Sequence, residues 1–423
     1  MISERAIYVH IQLPGTLDTV PAARLRVEKL DDGTRIGYFR YGDRYLERPN
    51  RVELDPFRLP LSRETFTFTK LNGIPGAVRD AGPDYWGRLV IERLLGKSPN
   101  DLDDIDYLLH GPTDGAGNLS FGLEVEPRSA ARLHNRTQQL GELVAAANAV
   151  QDGRPVPPEI LERLEPGTSM GGARPKASVE HEHALWLAKF PERRDRMNVQ
   201  RIEHATIELA RRAGLDASST RLERVGDDDV LMVKRFDREW NGVGYLRHAL
   251  VSGLTVLDAD EGYVDRGRWS YLLLADELRR WSTGPQRDLR ELFRRMVFNA
   301  CISNTDDHPR NHALAREAAG WRLAPAYDLV PQPAVAQERR DLALAVGEHG
   351  RAASLFNILS ACGRFGLSVE EARADFDAVV AVVRTWQEVF RELGVAKRDM
   401  EVVASAFLYD GLLAETPVAP PAI

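Results

Sequence analysis

Between Leu289 and Cys301 one periodic pattern dominates, and it ends abruptly. Leu289, Leu292, Phe293, Met296, Val297, Ala300 and Cys301 recur at i, i+3, i+4 and i+7, as the buried face of an amphipathic helix requires. The chain then runs directly into Asn304-Thr-Asp-Asp-His-Pro-Arg-Asn-His312, where every residue but Pro309 is Asp, Asn, His, Thr or Arg. A core helix that delivers its chain into such a polar loop costs burial energy unless the loop binds something. The pattern therefore demands a folded core with a ligand-binding loop at a helix end.

Within that loop Asp306 and Asn311 are five positions apart. The same interval separates the base from the metal-binding Asn in the catalytic loop of protein kinases. A carboxylate there accepts the proton of an attacking hydroxyl, while an amide oxygen helps hold Mg²⁺ on the phosphates. A second acid is expected downstream. Asp328 supplies it, flanked by Tyr327 and Leu329 after a short strand at Trp321–Ala324. Upstream, Ser169-Met-Gly-Gly-Ala-Arg-Pro-Lys176 is a small-residue loop ahead of a strand, where backbone N–H groups can approach phosphate oxygens. Lys189 lies on the next strand, Leu185–Phe190, and is placed to reach phosphates. Other readings compete. The polar loop could be a helix cap, Lys189 a snorkelling surface lysine, and Asp307, His308 and His312 the ligands of a transition metal in a hydrolase.

The rest of the chain supplies a frame. Ala6–Leu13, Leu25–Leu30 and Ile36–Tyr41 read as strands, the last two as a hairpin around Asp31-Asp32-Gly33. Asp84–Leu95 and Leu140–Val150 read as helices, with a short strand near Leu119–Val125. Ala184–Phe190 and Val230–Phe236 read as strands, and the stripe Ile202, Ala205, Leu209 and Ala213 as a helix ending at Gly214. Phe376, Val379, Val380, Val383 and Phe390 continue the helical pattern. Trp186, Trp321, Trp386 and Cys301 are read as core. We divide the chain into a β-rich subdomain (1–126), a connector (127–168), a nucleotide-binding part (169–240), a helical lobe carrying the catalytic loop (241–413) and a frayed tail (414–423). The expected fold is α+β with two lobes and a site between them. The 423 residues carry 56 Lys and Arg against 63 Asp and Glu, a formal charge of −7, which argues against a strongly basic nucleic-acid binder. Cys301 and Cys362 cannot build a disulfide framework. No apolar run is long enough for a membrane span, and no signal peptide is visible, so a cytoplasmic location is expected.

Taken in order, Ser-x-x-Gly-Ala-x-x-Lys at 169–176, Lys189, Val-x-Arg-Phe-Asp-Arg at 233–238, Thr-Asp-Asp-His-x-x-Asn at 305–311 and Pro-x-Tyr-Asp at 325–328 resemble the HipA family. These are bacterial serine/threonine kinases that act as toxins of type II toxin–antitoxin systems. Pro83-Asp-Tyr-Trp-Gly-Arg88 and Asp114-Gly-Ala-Gly117 extend the likeness toward the N-terminus, so that it spans about residues 6 to 400. The resemblance implies a two-lobed kinase-like fold, ATP and Mg²⁺. It makes Asp306 the base and Asn311 and Asp328 the metal ligands. It sets Lys189 on the ATP phosphates and Gly171, Gly172, Ala173, Arg174, Pro175 and Lys176 over them. Lys234, Arg235 and Phe236 would meet adenine, His308 and Tyr327 would line the nucleotide site, and Ser169 would be autophosphorylated. Lys234 stands where the best-known family pattern has an acid. The implied partners are a small helix-turn-helix antitoxin of the HipB type, operator DNA mainly through that antitoxin, and a protein substrate, for which an aminoacyl-tRNA synthetase is the suggested target. The alternative is a catalytically silent corepressor that binds antitoxin.

Overall fold

The computed structural model describes residues 3–112, 114–128, 134–164, 172, 174–333 and 338–417. The chain divides into two compact units that interleave in sequence: Met1–Glu192 with Lys234–Val251 and Ala315–Ala319, and Arg193–Val233 with Ser252–Leu314 and Gly320–Ile423.

The first unit opens with an antiparallel sheet. Strands β1 (Ser3–Gln12), β2 (Thr19–Lys29), β3 (Arg35–Tyr41), β4 (Phe66–Phe68) and β5 (Leu119–Gly122) pair in the order β4-β3-β2-β1-β5. Alternation sets its two faces. Leu25 and Val27 are buried while Arg24 is exposed and Arg26 half-buried, and the opposite strand keeps step with buried Phe39 and Tyr41. The β2–β3 hairpin turns at 30–34, where the Asp-Gly pair predicts it. Register shifts between Val9 and His10, a bulge that the sequence does not announce. Gly37 lets the chain crowd itself: a Cβ there would lie 1.7 Å from the carbonyl oxygen of Gly73.

Helices α1 (Tyr85–Leu95), α2 (Asp104–His110), α3 (Leu140–Gln151) and α4 (Pro158–Leu164) complete this unit with strands β6 (Asn135–Arg136), β7 (Lys176–His181) and β8 (Ala184–Lys189). Asp84 caps α1 by accepting from the Gly87 N–H at 2.9 Å. Its other carboxylate oxygen meets the Lys176 ammonium at 2.5 Å. Trp86, the second residue of the helix, donates its indole N–H to the Lys176 carbonyl at 3.0 Å. Two groups of one helix start thus hold the first residue of β7.

In the second unit α5 (Val199–Arg212) precedes the hairpin β9 (Thr220–Val225) and β10 (Asp228–Lys234). The helices α6 (Tyr271–Trp281), α7 (Pro285–Cys301), α8 (Val369–Val383) and α9 (Trp386–Glu392) form most of its mass. The stripe on α7 is wholly buried, from Leu289 to Cys301. Each of its larger side chains contributes about 1.5–3 kcal/mol through lost apolar exposure. Arg290 and Arg294 on its other side clamp Asp375 of α8 at 2.7 Å each. The apolar pattern from Phe376 to Phe390 is two helices rather than one. The chain breaks at Arg384–Thr385, where Thr385 turns its hydroxyl onto the Val382 carbonyl at 2.8 Å and begins α9. A threonine that bonds the preceding turn is a known helix competitor. Trp321 and Trp386 are core, as read from the sequence, whereas Trp186 is only half-buried. Cys301 is fully buried, and burial pushes its thiol far up. Among the described residues no helix is long and apolar enough to cross a membrane.

Candidate active site

Helix α7 ends as its stripe runs out, and the backbone reverses through Ser303 in the left-handed region. Asn304 N–H returns to the Asn299 carbonyl at 2.9 Å. A tight series follows: Thr305 N–H to Ser303 O at 2.8 Å, His308 N–H to Asp306 O at 2.8 Å and Asn311 N–H to His308 O at 2.9 Å. Local bonds of this kind fix the direction of each side chain. Gly253 packs beneath, donating to the His312 carbonyl at 2.7 Å, and a Cβ there would stand 2.6 Å from the Pro309 oxygen.

The two adjacent acids separate cleanly. Asp306 is exposed, while Asp307 is 1% exposed. Asp307 accepts from the Tyr271 hydroxyl in a short bond and lies 3.1 Å from His312 Nε2. The Tyr271 hydroxyl accepts in turn from Asn299 Nδ2 at 3.0 Å. Burial, reinforced by the Asp307 charge, holds the Tyr271 phenol well above its ordinary range. Asp307 is therefore engaged by both Tyr271 and His312 Nε2. Among the described residues no group of three or more His, Cys, Asp or Glu could hold a metal. His308 Nδ1 and His312 Nδ1 stay without a hydrogen-bond partner, but the transition-metal hydrolase reading finds no such group.

Asp306 has different surroundings. Partial burial raises its carboxyl above the usual range. His308 opposes the shift, and the charges of Asp328 and Asp307 add to it. Asp328 reaches this neighbourhood from the strand Gly320–Leu323 through Ala326, which is bridged to Ala217 by Ala326 N–H to Asp216 O at 2.7 Å and Ser218 N–H to Ala326 O at 2.9 Å. Asp328 itself sits at φ 59°, a left-handed conformation that Asp tolerates better than most residues. Tyr327 donates its hydroxyl to the Arg310 carbonyl at 2.6 Å, tying the two loops together.

Asn311 shows what this arrangement lacks internally. Its Nδ2 donates to the Asp306 carbonyl at 3.1 Å, which orients the amide, yet its Oδ1 is buried with no hydrogen-bond partner. An orphan buried carbonyl oxygen costs about 1–3 kcal/mol. One amide oxygen plus one carboxylate, Asp328, is a donor set suited to Mg²⁺, a hard cation that keeps several waters and takes few protein ligands.

In the first unit β7 and β8 set Lys176 directly opposite Lys189, so both share one face of the strand pair, and both are buried. Lys176 is held by Asp84 and also donates to the Gly172 carbonyl at 2.6 Å. Its ammonium thus anchors the root of the glycine loop. Pro175 accepts from Phe190 N–H at 2.8 Å, and Arg174 is half-buried. Ser169, Gly171 and Ala173 lie outside the described residues. Lys234 is exposed and Phe236 half-buried. Arg235 is buried: its N–H goes to the Leu185 carbonyl at 2.9 Å and its guanidinium to Asp237 at 2.9 and 3.0 Å.

Sequence reasoning missed Tyr271 and Asn299. Asn299 carried a signal, as a polar residue set among Met296, Val297, Ala300 and Cys301 of the buried stripe. Tyr271 carried none, because nothing local links it to a loop 36 residues on.

A model of the HipA-like C-terminal domain family matches residues 168–386, just over half of the chain, and the protein belongs to this family. It is 26% identical over 332 residues to "Putative kinase Y4mE" of Sinorhizobium fredii, a match covering 73% of this chain and 76% of that protein. Among solved structures, a chain of the Shewanella oneidensis MR-1 complex of HipA, HipB and operator DNA superposes with a TM-score of 0.67 at 17% identity, over 94% of both chains. The Helicobacter pylori proinflammatory kinase CtkA matches 56% of this chain and 92% of its own at 16% identity and a TM-score of 0.37. The fold is thus the mixed α/β fold of that HipA chain, as the resemblance to the family implies.

Proposed function

We propose that the protein is an ATP-dependent protein serine/threonine kinase, the toxin of a toxin–antitoxin pair. One observation carries the reading: Asn311 Oδ1 is buried and unmet beside two mutually repelling carboxylates, Asp306 and Asp328. Mg²⁺, when bound by Asn311 and Asp328, supplies charge neutralisation for the phosphates of ATP. Asp306, exposed and raised in pKa, accepts the proton of the attacking serine or threonine hydroxyl at its carboxylate. Lys189 contributes a positive charge toward the phosphates, and the loop 171–176 covers them, with Lys176 anchoring its base. Lys234 and Phe236 contact adenine, joined by Arg235 as the residue that fixes their strand end. His308 and Tyr327 border the nucleotide. Ser169 is the autophosphorylation site, and a phosphate there removes the loop from its place over ATP.

The partners follow by analogy with the Shewanella complex: a small helix-turn-helix antitoxin that carries the contact to operator DNA. A protein such as an aminoacyl-tRNA synthetase is the substrate class, and the cytoplasm is the compartment. The test is transfer of ³²P from Mg·ATP by purified protein, with phosphosites mapped by mass spectrometry. Label on protein Ser or Thr that depends on Asp306 supports the reading. No label above the Asp306→Asn background leaves the silent antitoxin-binding module.

A further inference from the structure

Asp306 and Asn311 carry the proposed chemistry, and each is followed by a residue of a second pair with the same interval. Asp307 and His312 are bonded to each other at 3.1 Å, 1% and 2% exposed. The link closes a six-residue loop, and the residue just before each of its ends is a proposed functional one. The Tyr271 ring stands edge-on to His312 at 5.3 Å, and its hydroxyl bonds Asp307. From Tyr271 the network continues to Asn299 of α7. Asn299 Oδ1 accepts from Asn304 Nδ2 at 3.0 Å, and that same amide reaches the Asp328 carbonyl oxygen at 3.5 Å. Tyr271 is itself fixed at the first turn of α6. Ser270 caps that helix, and Tyr271 N–H donates to the Ala345 carbonyl at 3.0 Å.

We infer that the Tyr271–Asp307–His312 triad, extended through Asn299 and Asn304, consists of positioning residues. It sets Asp306, Asn311 and Asp328 relative to one another without touching substrate. The physical reason is chain connectivity. Asp306 and Asp307 share one hydrogen-bonded turn and Asn311 ends the 3-10 turn Pro309–Asn311, so with the side chain locked inward at 307 the peptide that carries the exposed Asp306 is held in place. The inward lock at 312 likewise fixes the peptide that carries Asn311. A buried, interlinked polar network of this kind holds one geometry more firmly than apolar packing would. This inference rests on the kinase reading for its consequence, but not for its structural content.

The test uses Tyr271→Phe and His312→Gln in the full chain, with Ser368→Ala, which removes a cap from α8, as a control for general destabilisation. Hydrogen exchange in the absence of nucleotide comes first. The amides of 304–312 should exchange about tenfold faster or more in both triad variants, with those of α8 unchanged. Phosphate transfer comes second. Both variants should lose kcat by about 10- to 100-fold and need more Mg²⁺ for half-maximal rate, with KM for the protein substrate little changed. The control should move Tm alone. Should Tyr271→Phe fail to fold, His312→Gln decides. Unchanged exchange at 304–312, or wild-type kcat and Mg²⁺ dependence in a folded triad variant, overturns the inference. Faster exchange in a protein whose wild type transfers no phosphate refutes the kinase reading instead and leaves the triad as the loop's lock.

Discussion

Two clusters of charge in this protein are built on opposite terms. In the first unit Asp237 is fully buried and receives Arg235 at 2.9 Å, Arg238 at 2.8 Å and the Gly117 N–H at 2.9 Å. Asp114 receives Arg238 at 2.6 Å. Arg247 completes the group by donating to the Gly117 and Leu119 carbonyls at 3.0 and 2.7 Å. Against the upward push of burial, Arg235 and Arg238 hold the Asp237 carboxyl down at about 2, and Arg238 and Arg235 hold that of Asp114 well below the usual carboxylate range. Burial and then Arg238 lower Arg247 to about 9. In the second unit partial burial raises the Asp306 carboxyl, against the pull of His308 and with the charges of Asp328 and Asp307, and Asn311 Oδ1 has no hydrogen-bond partner. In the first cluster each acid is paired with arginines of the protein itself, three guanidiniums to two carboxylates, and the cluster is structural. The second is the cluster to which the proposed function assigns the ligand, on the raised Asp306 carboxyl and the unmet Asn311 Oδ1.

One substitution, Asp to Asn, separates them. At position 306 it should lower phosphate transfer by about 10²- to 10⁴-fold, the usual loss for a general base, while Tm stays at or above wild type because a repelled carboxylate is gone. At position 237 it should cost about 3–5 kcal/mol by leaving the buried Arg235 and Arg238 only Asp114 as a counter-charge, which chemical denaturation will read directly. Equal stability losses at both sites would break the contrast.

The pH profiles sharpen it. A depressed carboxyl stabilises the fold above its unfolded pKa near 3.8, and that stability disappears as pH falls toward about 2. Wild type should therefore lose stability between roughly pH 4 and pH 2, and Asp237→Asn should lose less across the same window. Asp306 is raised, so the acid limb of kcat/KM, which reports the free enzyme, should fall at a pH above the ordinary Asp range. A limb at or below that range contradicts the assignment. Replacing Asn311 by Ala should raise the Mg²⁺ requirement with little change in Tm, since only the Nδ2 bond to Asp306 O is lost. The smallest effect belongs to Ser368→Ala, about 1 kcal/mol from the lost α8 cap, visible in Tm and absent from kcat.

What the sequence made legible was local. The stripe on α7, the hairpin at 30–34 and the five-residue interval from Asp306 to Asn311 all follow from neighbours along the chain. Sequence could also order the motifs but could not say which of two adjacent acids faces outward. That depends on Tyr271, brought in by the packing of α6 against α7. The Arg235-Phe-Asp-Arg238 motif was visible, yet its pairing with Asp114 spans more than a hundred residues and is set by tertiary structure. The same holds for Lys176, which reads as a phosphate-loop lysine until Asp84, 92 positions earlier, is found on its ammonium. The break at Thr385 was hidden because the apolar period runs on through it.

The most direct measurement is single-turnover transfer of ³²P from Mg·ATP by wild type and by Asp306→Asn, with nucleotide affinity measured in parallel. The account predicts labelled serine or threonine from wild type, a loss of about 10³-fold in the variant, and Mg·ATP affinity preserved within about threefold. Equal rates from the two proteins, or no Mg²⁺-dependent nucleotide binding by wild type, would contradict it.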